Sequence, residues 1–210
     1  PRIETTIGPS CDFEEGVCGT RGHPYECTNG GGSVEEYYVY VSSYTNEPNE
    51  GISVFNLEPF TGKLTLKKVI GGGDCPSYIA FHPTGELLYA VHRLQEYAGE
   101  KGGAVSAYRV ERDTGDLTLL NRASSKGLGP CHISVDRTGK CVLIVNYYSG
   151  SVAVFTLRSD GALDTMSDFH LHSGSSIHPT RQQSPHPHCI LSDPTNQFAC
   201  VVDLGLDKLF

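Results

Sequence analysis

Five of the nine histidines in this 210-residue chain fall between His170 and His188. The same stretch holds Ser173, Ser175, Ser176, Arg181, Gln182 and Gln183. Imidazole exchanges protons near neutral pH, and Arg181 offers a planar fork that fits a carboxylate or a phosphate. Together they suit proton transfer beside a bound anion. The alternative stays open that the histidines and Arg181 hydrogen-bond the loop backbone and hold neighbouring elements together. His186 and His188 are two apart, so an extended backbone from Pro185 to Ile190 turns both to one face. A metal held by these two would need a third ligand, for which Asp203 is the nearby candidate; the reading is that no metal is bound.

Other positions carry less. His132, Asn146 and Tyr147 stand near strand ends, where they could meet a ligand or cap turns. Asp203 and Asp207, in Asp203-Leu-Gly-Leu-Asp207, could orient an imidazole or serve as turn residues. The sequence has no Gly-rich phosphate loop, nucleophile elbow or paired-carboxylate site, and nothing in it calls for a cofactor.

The elements that must position these groups read as all-β. From Tyr37 onward, short β-branched and aromatic runs alternate with Gly, Pro, Asn and Asp, with no apolar pattern of helical period. Three segments share one design of strand, tight turn and strand: Pro76 to Gly85 followed by Leu87 to Val91, Pro130 to Gly139 followed by Cys141 to Val145, and Pro187 to Asn196 followed by Phe198 to Val202. Their opening prolines recur 54 and 57 residues apart. A second design joins Gly51–Phe55 to Thr61-Gly-Lys-Leu64, Ala104–Tyr108 to Thr114-Gly-Asp-Leu117, and Ser151–Phe155 to Asp160-Gly-Ala-Leu163. Four strands per repeat of about 50 residues is the sequence signature of β-propeller blades. Two whole blades are expected over 76–124 and 130–172, with a first blade lacking its inner strand and a last one stopping after its second strand. That is about three and a half blades of a probable seven. Because an open fan leaves sheet edges exposed, the native chain is expected to be nearly twice as long, with the first blade completed from its far C-terminus.

The ordered motifs resemble one family. Pro130-Cys-His132 with Asp136, Asn146-Tyr147 with Gly150-Ser-Val152, Arg181-Gln182 with Pro185-His-Pro-His188, and Asp203-Leu-Gly-Leu-Asp207 look like those of the seven-bladed lactonase propellers. That family includes the cycloisomerase type of 6-phosphogluconolactonase and the fungal 3-carboxy-cis,cis-muconate lactonizing enzymes. The resemblance covers about 37–210 and implies a small anionic lactone as substrate, with hydrolysis of 6-phosphogluconolactone the leading activity. It puts the family's catalytic histidine on His188, with Arg181, His186, His132, Asn146 and Asp203 as substrate-binding candidates. The histidine's arginine and glutamate partners would belong to the next blade, beyond Phe210, so the fragment itself is expected to be inactive. The sequence departs from the pattern where many members carry Asn-Glu after the Leu-Tyr-Ala-Val strand: here it has His92-Arg93. A muconate cycloisomerase and a non-catalytic binding propeller are the alternatives.

Composition bounds the rest. A formal charge of −8, with no Lys/Arg cluster, argues against nucleic acid or an anionic membrane as partner. The longest apolar runs fall far short of a membrane span. Cys75, Cys131, Cys141, Cys189 and Cys200 lack C-x-x-C spacing and read as buried free thiols of a reducing, cytoplasmic compartment. Open blade edges would favour self-association. Residues 1–36 stand outside the repeat as an unassigned, flexible segment; Cys11 to Gly19 resembles the opening of a MAM-type extracellular module but lacks the tryptophan expected after it.

Overall fold

The computed structural model describes residues 3–4, 37–44, 51–71 and 74–210, and the sequence repeats become four antiparallel sheets. The first holds β1 (Ile3–Glu4), β2 (Tyr37–Ser43), β3 (Ile52–Leu57) and β4 (Leu64–Ile70). The second holds β5 (Pro76–Phe81) and β6 (Leu87–His92), then, after a small hairpin of β7 (Glu96–Tyr97) and β8 (Glu100–Lys101), β9 (Ala104–Glu111) and β10 (Asp116–Ser124). The third is β11 (Pro130–Val135), β12 (Cys141–Asn146), β13 (Ser151–Leu157) and β14 (Leu163–Leu171), and the fourth β15 (Pro187–Ser192), β16 (Ala199–Asp203) and β17 (Lys208–Leu209). No described residue is helical.

Each sheet is a meander in which sequential strands pair, and β5, β11 and β15 lie side by side as the inner strands. Proline opens all three; a first strand position tolerates the missing N–H. The turns repeat to the residue. Gly85, Gly139 and Asn196 close the first hairpin of successive blades at φ 72, 69 and 58°, and Gly62, Gly115 and Gly161 close the outer hairpin at φ 70, 67 and 86°. These left-handed positions cost a β-branched residue too much to fill, which explains the Gly and Asn spacing in the sequence.

Blades are joined by apolar layers and by a recurring hydrogen bond. Tyr89, Val91, Val105, Ile133, Ile144 and Phe155 form the layer between the second and third blades, Tyr40, Ile52, Val54, Ile79 and Leu88 that between the first and second, and Val145, Ile190 and Val201 that between the third and fourth. Each such side chain contributes about 1.5–3 kcal/mol when fully buried. Tyr40 donates its hydroxyl to the Gly115 carbonyl at 2.9 Å, and Tyr89, at the equivalent place one blade on, donates to the Gly161 carbonyl at 2.9 Å. Burial pushes both hydroxyls well above the usual tyrosine pKa.

Three features differ from the sequence reading. The inner edge of the first blade is met for two residues by Ile3–Glu4, which pair with Ser43 and Ser42, since unpaired N–H and C=O groups at an edge accept any strand in reach. The last blade continues into a third strand, β17. The β7–β8 hairpin has no apolar alternation to announce it. The MAM-like stretch from Cys11 lies outside the described residues. Of the five later cysteines, expected to be buried, Cys75 and Cys131 are; Cys141 and Cys189 are partly buried, and Cys200 is exposed because it lies on the outer face of the last blade with Leu191, Phe198 and Val202.

Candidate functional site

The second residue of each inner strand sits at a β-bulge. The pairing register slips between Pro76 and Tyr78, between Pro130 and His132, and between Pro187 and Cys189, so the Cα ladder skips Ser77, Cys131 and His188. A bulge re-aims the side chain it frees. Ser77 donates to the Pro130 carbonyl at 2.7 Å and the Cys131 thiol to the Pro187 carbonyl at 3.6 Å, each reaching the next blade's inner strand. His188 occupies the same place on β15 and is exposed.

His188 opens onto a hollow of about 230 Å³, shared with Cys131 and Gly129 of the third blade. Tyr147 and Tyr148 wall one side, and Tyr44 and Arg93 from the first two blades complete it. Among the described residues the lining thus offers an imidazole, a guanidinium, a thiol and three phenols, and no carboxylate. His186 and His188 bracket the Tyr147 ring: His186 stacks on its face at 4.4 Å and 10°, while His188 meets it edge-on at 5.4 Å and 79°.

The other residues named from the sequence are placed differently. His186 Nδ1 lies 3.0 Å from the Tyr147 carbonyl, which ties that ring to the third blade. Asp203 is buried; its Oδ1 accepts the backbone N–H of His186 at 2.8 Å and of Leu206 at 3.1 Å, and its Oδ2 is 2.6 Å from His172 Nδ1. Asn146 is buried too, donating to the Ser125 carbonyl at 3.0 Å and Ser151 Oγ at 3.1 Å, with its Oδ1 unpartnered. His92, Asn146 and Asp203 hold the same blade position, the end of the second strand, so three successive blades bury a polar group there.

His132, on the inner strand of the third blade, touches both neighbouring blades: its ring lies 4.4 Å from that of Tyr78 in the second. Its Nδ1 accepts the Ile190 N–H, and its Nε2 lies 3.7 Å from Cys189 Sγ. Burial, helped by the neighbouring His188, holds the His132 pKa down to about 4, so the ring is neutral at pH 7. Arg181 is exposed, its backbone N–H donating to His178 Nδ1, and it does not line the hollow. The loop carrying it packs instead on the turn after β16: Gln182 donates to the Leu204 carbonyl, and a Cβ at Gly205 would meet the Ser184 carbonyl oxygen at 1.9 Å.

Residues 38–210 match the family described as "Lactonase, 7-bladed beta-propeller". The chain belongs to this seven-bladed lactonase family. It is 37% identical over 175 residues to a 6-phosphogluconolactonase of Bacillus subtilis, covering 83% of this chain and 48% of the relative, and 28% identical over 170 residues to a 6-phosphogluconolactonase of Formosa agariphila, covering 80% and 47%. The structure of a periplasmic gluconolactonase from Pseudomonas aeruginosa superposes with a TM-score of 0.75 at 29% identity, over 83% of this chain and 49% of that one. This lactonase-family chain therefore spans about half the length of the curated relatives it matches, which fits four blades of seven.

Three side chains that line the hollow were not among the site candidates read from the sequence: Tyr44, Arg93 and Tyr148. The signal available was their blade position: Arg93 follows β6 as Tyr147 follows β12. The whole lining comes from such strand ends and inner-strand bulges.

Proposed function

We propose that the hollow is one wall of a lactone-hydrolysing site and that the protein opens 6-phosphogluconolactone to 6-phosphogluconate. The observation that carries this reading is the aim of His188: a bulge on an inner strand presents its imidazole, exposed, to a hollow that holds a cation and, among the described residues, no carboxylate. The Bacillus subtilis relative, a 6-phosphogluconolactonase, supports the same substrate class. In the proposed step His188 accepts a proton from water as its oxygen adds to the lactone carbonyl; it returns the proton to the ring oxygen as the C–O bond breaks. Tyr147 fixes the direction of the imidazole by its edge-on contact.

We assign His186, Asn146 and Asp203 to holding the rim of the site, through the bonds described above, and His132 to positioning β15 against β11. Arg181 would reach a substrate only after the loop between His172 and His186 moved. Cys141, Cys189 and Cys200, outside any disulfide, fit a cytoplasmic setting; no described helix is long and apolar enough to cross a membrane. The uncovered face of the last blade, with Leu191, Phe198, Val202 and Leu209 exposed, is the face a further blade would cover, and in the isolated chain it would drive self-association.

The reading is tested by measuring turnover of 6-phosphogluconolactone, glucono-1,5-lactone and a carboxymuconolactone with the full-length protein that carries this chain. The highest kcat/KM on the phosphorylated lactone supports it. A preference for the carboxymuconolactone, with isomerisation rather than hydrolysis, replaces it with the cycloisomerase reaction, and turnover of none makes the propeller a binding module.

A further inference from the structure

Arg93 directly follows β6, so it projects from the rim of the second blade into the hollow that His188 shares. It donates to the Tyr148 hydroxyl, and its guanidinium carbon lies 4.9 Å from the Tyr148 ring centroid and 5.4 Å from that of Tyr44. A ring over the guanidinium face takes none of its in-plane N–H groups. Of five N–H donors, one is given to Tyr148.

Charge makes this placement unusual. The chain carries 24 Asp and Glu against 16 Lys and Arg, and Arg112, Arg122 and Arg158 each pair with a carboxylate. Among the described residues Arg109, Arg137 and Arg181 also pair with no carboxylate but are exposed, whereas Arg93 pairs with none and is half-buried. The hollow is shaped to keep Tyr148 where it is: Gly129 stands at φ 67°, and a Cβ there would meet the Tyr148 ring at 2.5 Å. A half-buried guanidinium, held by two tyrosines and with no carboxylate partner among the described residues, is a ready receptor for an anion.

We propose that Arg93 is the anion-binding, specificity-determining residue of this hollow, gripping the phosphate of the substrate and setting the preference for a phosphorylated over an uncharged lactone. This inference rests on the reading of the hollow as a lactone site. It assigns to Arg93 the anion contact that the sequence suggested for Arg181.

The experiment compares wild type, Arg93→Gln and Arg93→Lys in the full-length protein, each first shown to keep the wild-type unfolding midpoint. Steady-state kinetics are taken on 6-phosphogluconolactone and on glucono-1,5-lactone, and calorimetry measures binding of 6-phosphogluconate and of gluconate. Arg93→Gln is expected to raise KM for the phosphorylated lactone by about 10- to 100-fold, with kcat changed by less than about threefold and the uncharged lactone unaffected. Arg93→Lys, which keeps the charge and loses the fork, falls between. Equal losses on both substrates, or none on either, overturn the proposal. If wild type turns over neither lactone, the hydrolase reading fails, and calorimetry still decides the inference. A 10- to 100-fold weakening of 6-phosphogluconate binding upholds Arg93, whereas no binding, or binding indifferent to the substitution, overturns it.

Discussion

Asp203 Oδ2 and His172 Nδ1, thirty-one residues apart in sequence, lie 2.6 Å from each other between the third and fourth blades. The other carboxylate oxygen takes two backbone N–H groups, so one buried side chain ties together the end of β14, the stretch entering β15 and the turn after β16. Asp203→Ala would leave three donors unsatisfied in a buried place. It is expected to cost about 3 kcal/mol or more in urea denaturation, and to lower kcat because the backbone leading to His188 loses its anchor. A loss under about 1 kcal/mol would show that water replaces the carboxylate.

The tyrosine hydroxyls that cross blades predict a smaller, repeated effect. Tyr40→Phe and Tyr89→Phe each delete one buried bond, to Gly115 and to Gly161, while keeping the ring in its layer. Each should cost about 1–2 kcal/mol by denaturant midpoint. No change in either variant would mean that the apolar layers alone set the blade spacing.

Two glycines in equivalent turns separate backbone strain from crowding. Gly62 and Gly161 both have positive φ, yet a Cβ at Gly62 meets nothing within 4 Å, whereas at Gly161 it would meet Leu87 Cδ1 at 2.2 Å. Gly62→Ala should cost about 1 kcal/mol, the left-handed penalty alone. Gly161→Ala should cost about 1–3 kcal/mol more. Equal losses, measured by thermal unfolding, would contradict the packing of that turn against the second blade.

Acid should weaken the fold through two histidines. Burial, with the charge of Arg122, holds His92 down to about 4, and burial with His188 does the same for His132. Unfolded histidine titrates near 6.5. Above that value both are neutral folded or unfolded, and their contribution to stability is whole. As pH falls from about 6.5 to 4, the unfolded chain takes protons that the fold refuses, and stability drops by at most about 1.4 kcal/mol per pH unit for each. Asp136 acts lower: burial raises it, but bonds from Thr138, Cys141 and Asn196 outweigh that and hold it at about 2, so its contribution is lost between about pH 4 and 2. Denaturation curves for His132→Gln between pH 7 and 4 should show a shallower slope than wild type; an unchanged slope would place the proton uptake elsewhere.

The blades were legible because their signals are local. The Pro that opens an inner strand, the Gly or Asn at each left-handed turn, and the β-branched runs between them all repeat within about 50 residues, and each corresponds to a strand or turn in the structure. Of the residues lining the hollow, the sequence pointed to His188, within a histidine-rich stretch, and to Tyr147, at a strand end. Arg93 and Tyr148 meet across a blade boundary, a relation set by ring curvature and invisible to spacing along the chain. Arg181 illustrates the converse: it stands close to His188 in sequence, but its loop is drawn onto the turn at Leu204 and Gly205, away from the hollow. Asp203 could be read either as orienting an imidazole or as a turn residue, and the structure has it doing both with its two oxygens.

The most direct test of the account is the rate of 6-phosphogluconolactone hydrolysis by the full-length protein, compared between wild type and His188→Gln at equal folded fraction. A fall in kcat of about 10²-fold or more, with KM little changed, is the predicted result for a general acid/base. A rate within about threefold of wild type would remove His188 from the chemistry and contradict the site proposed here.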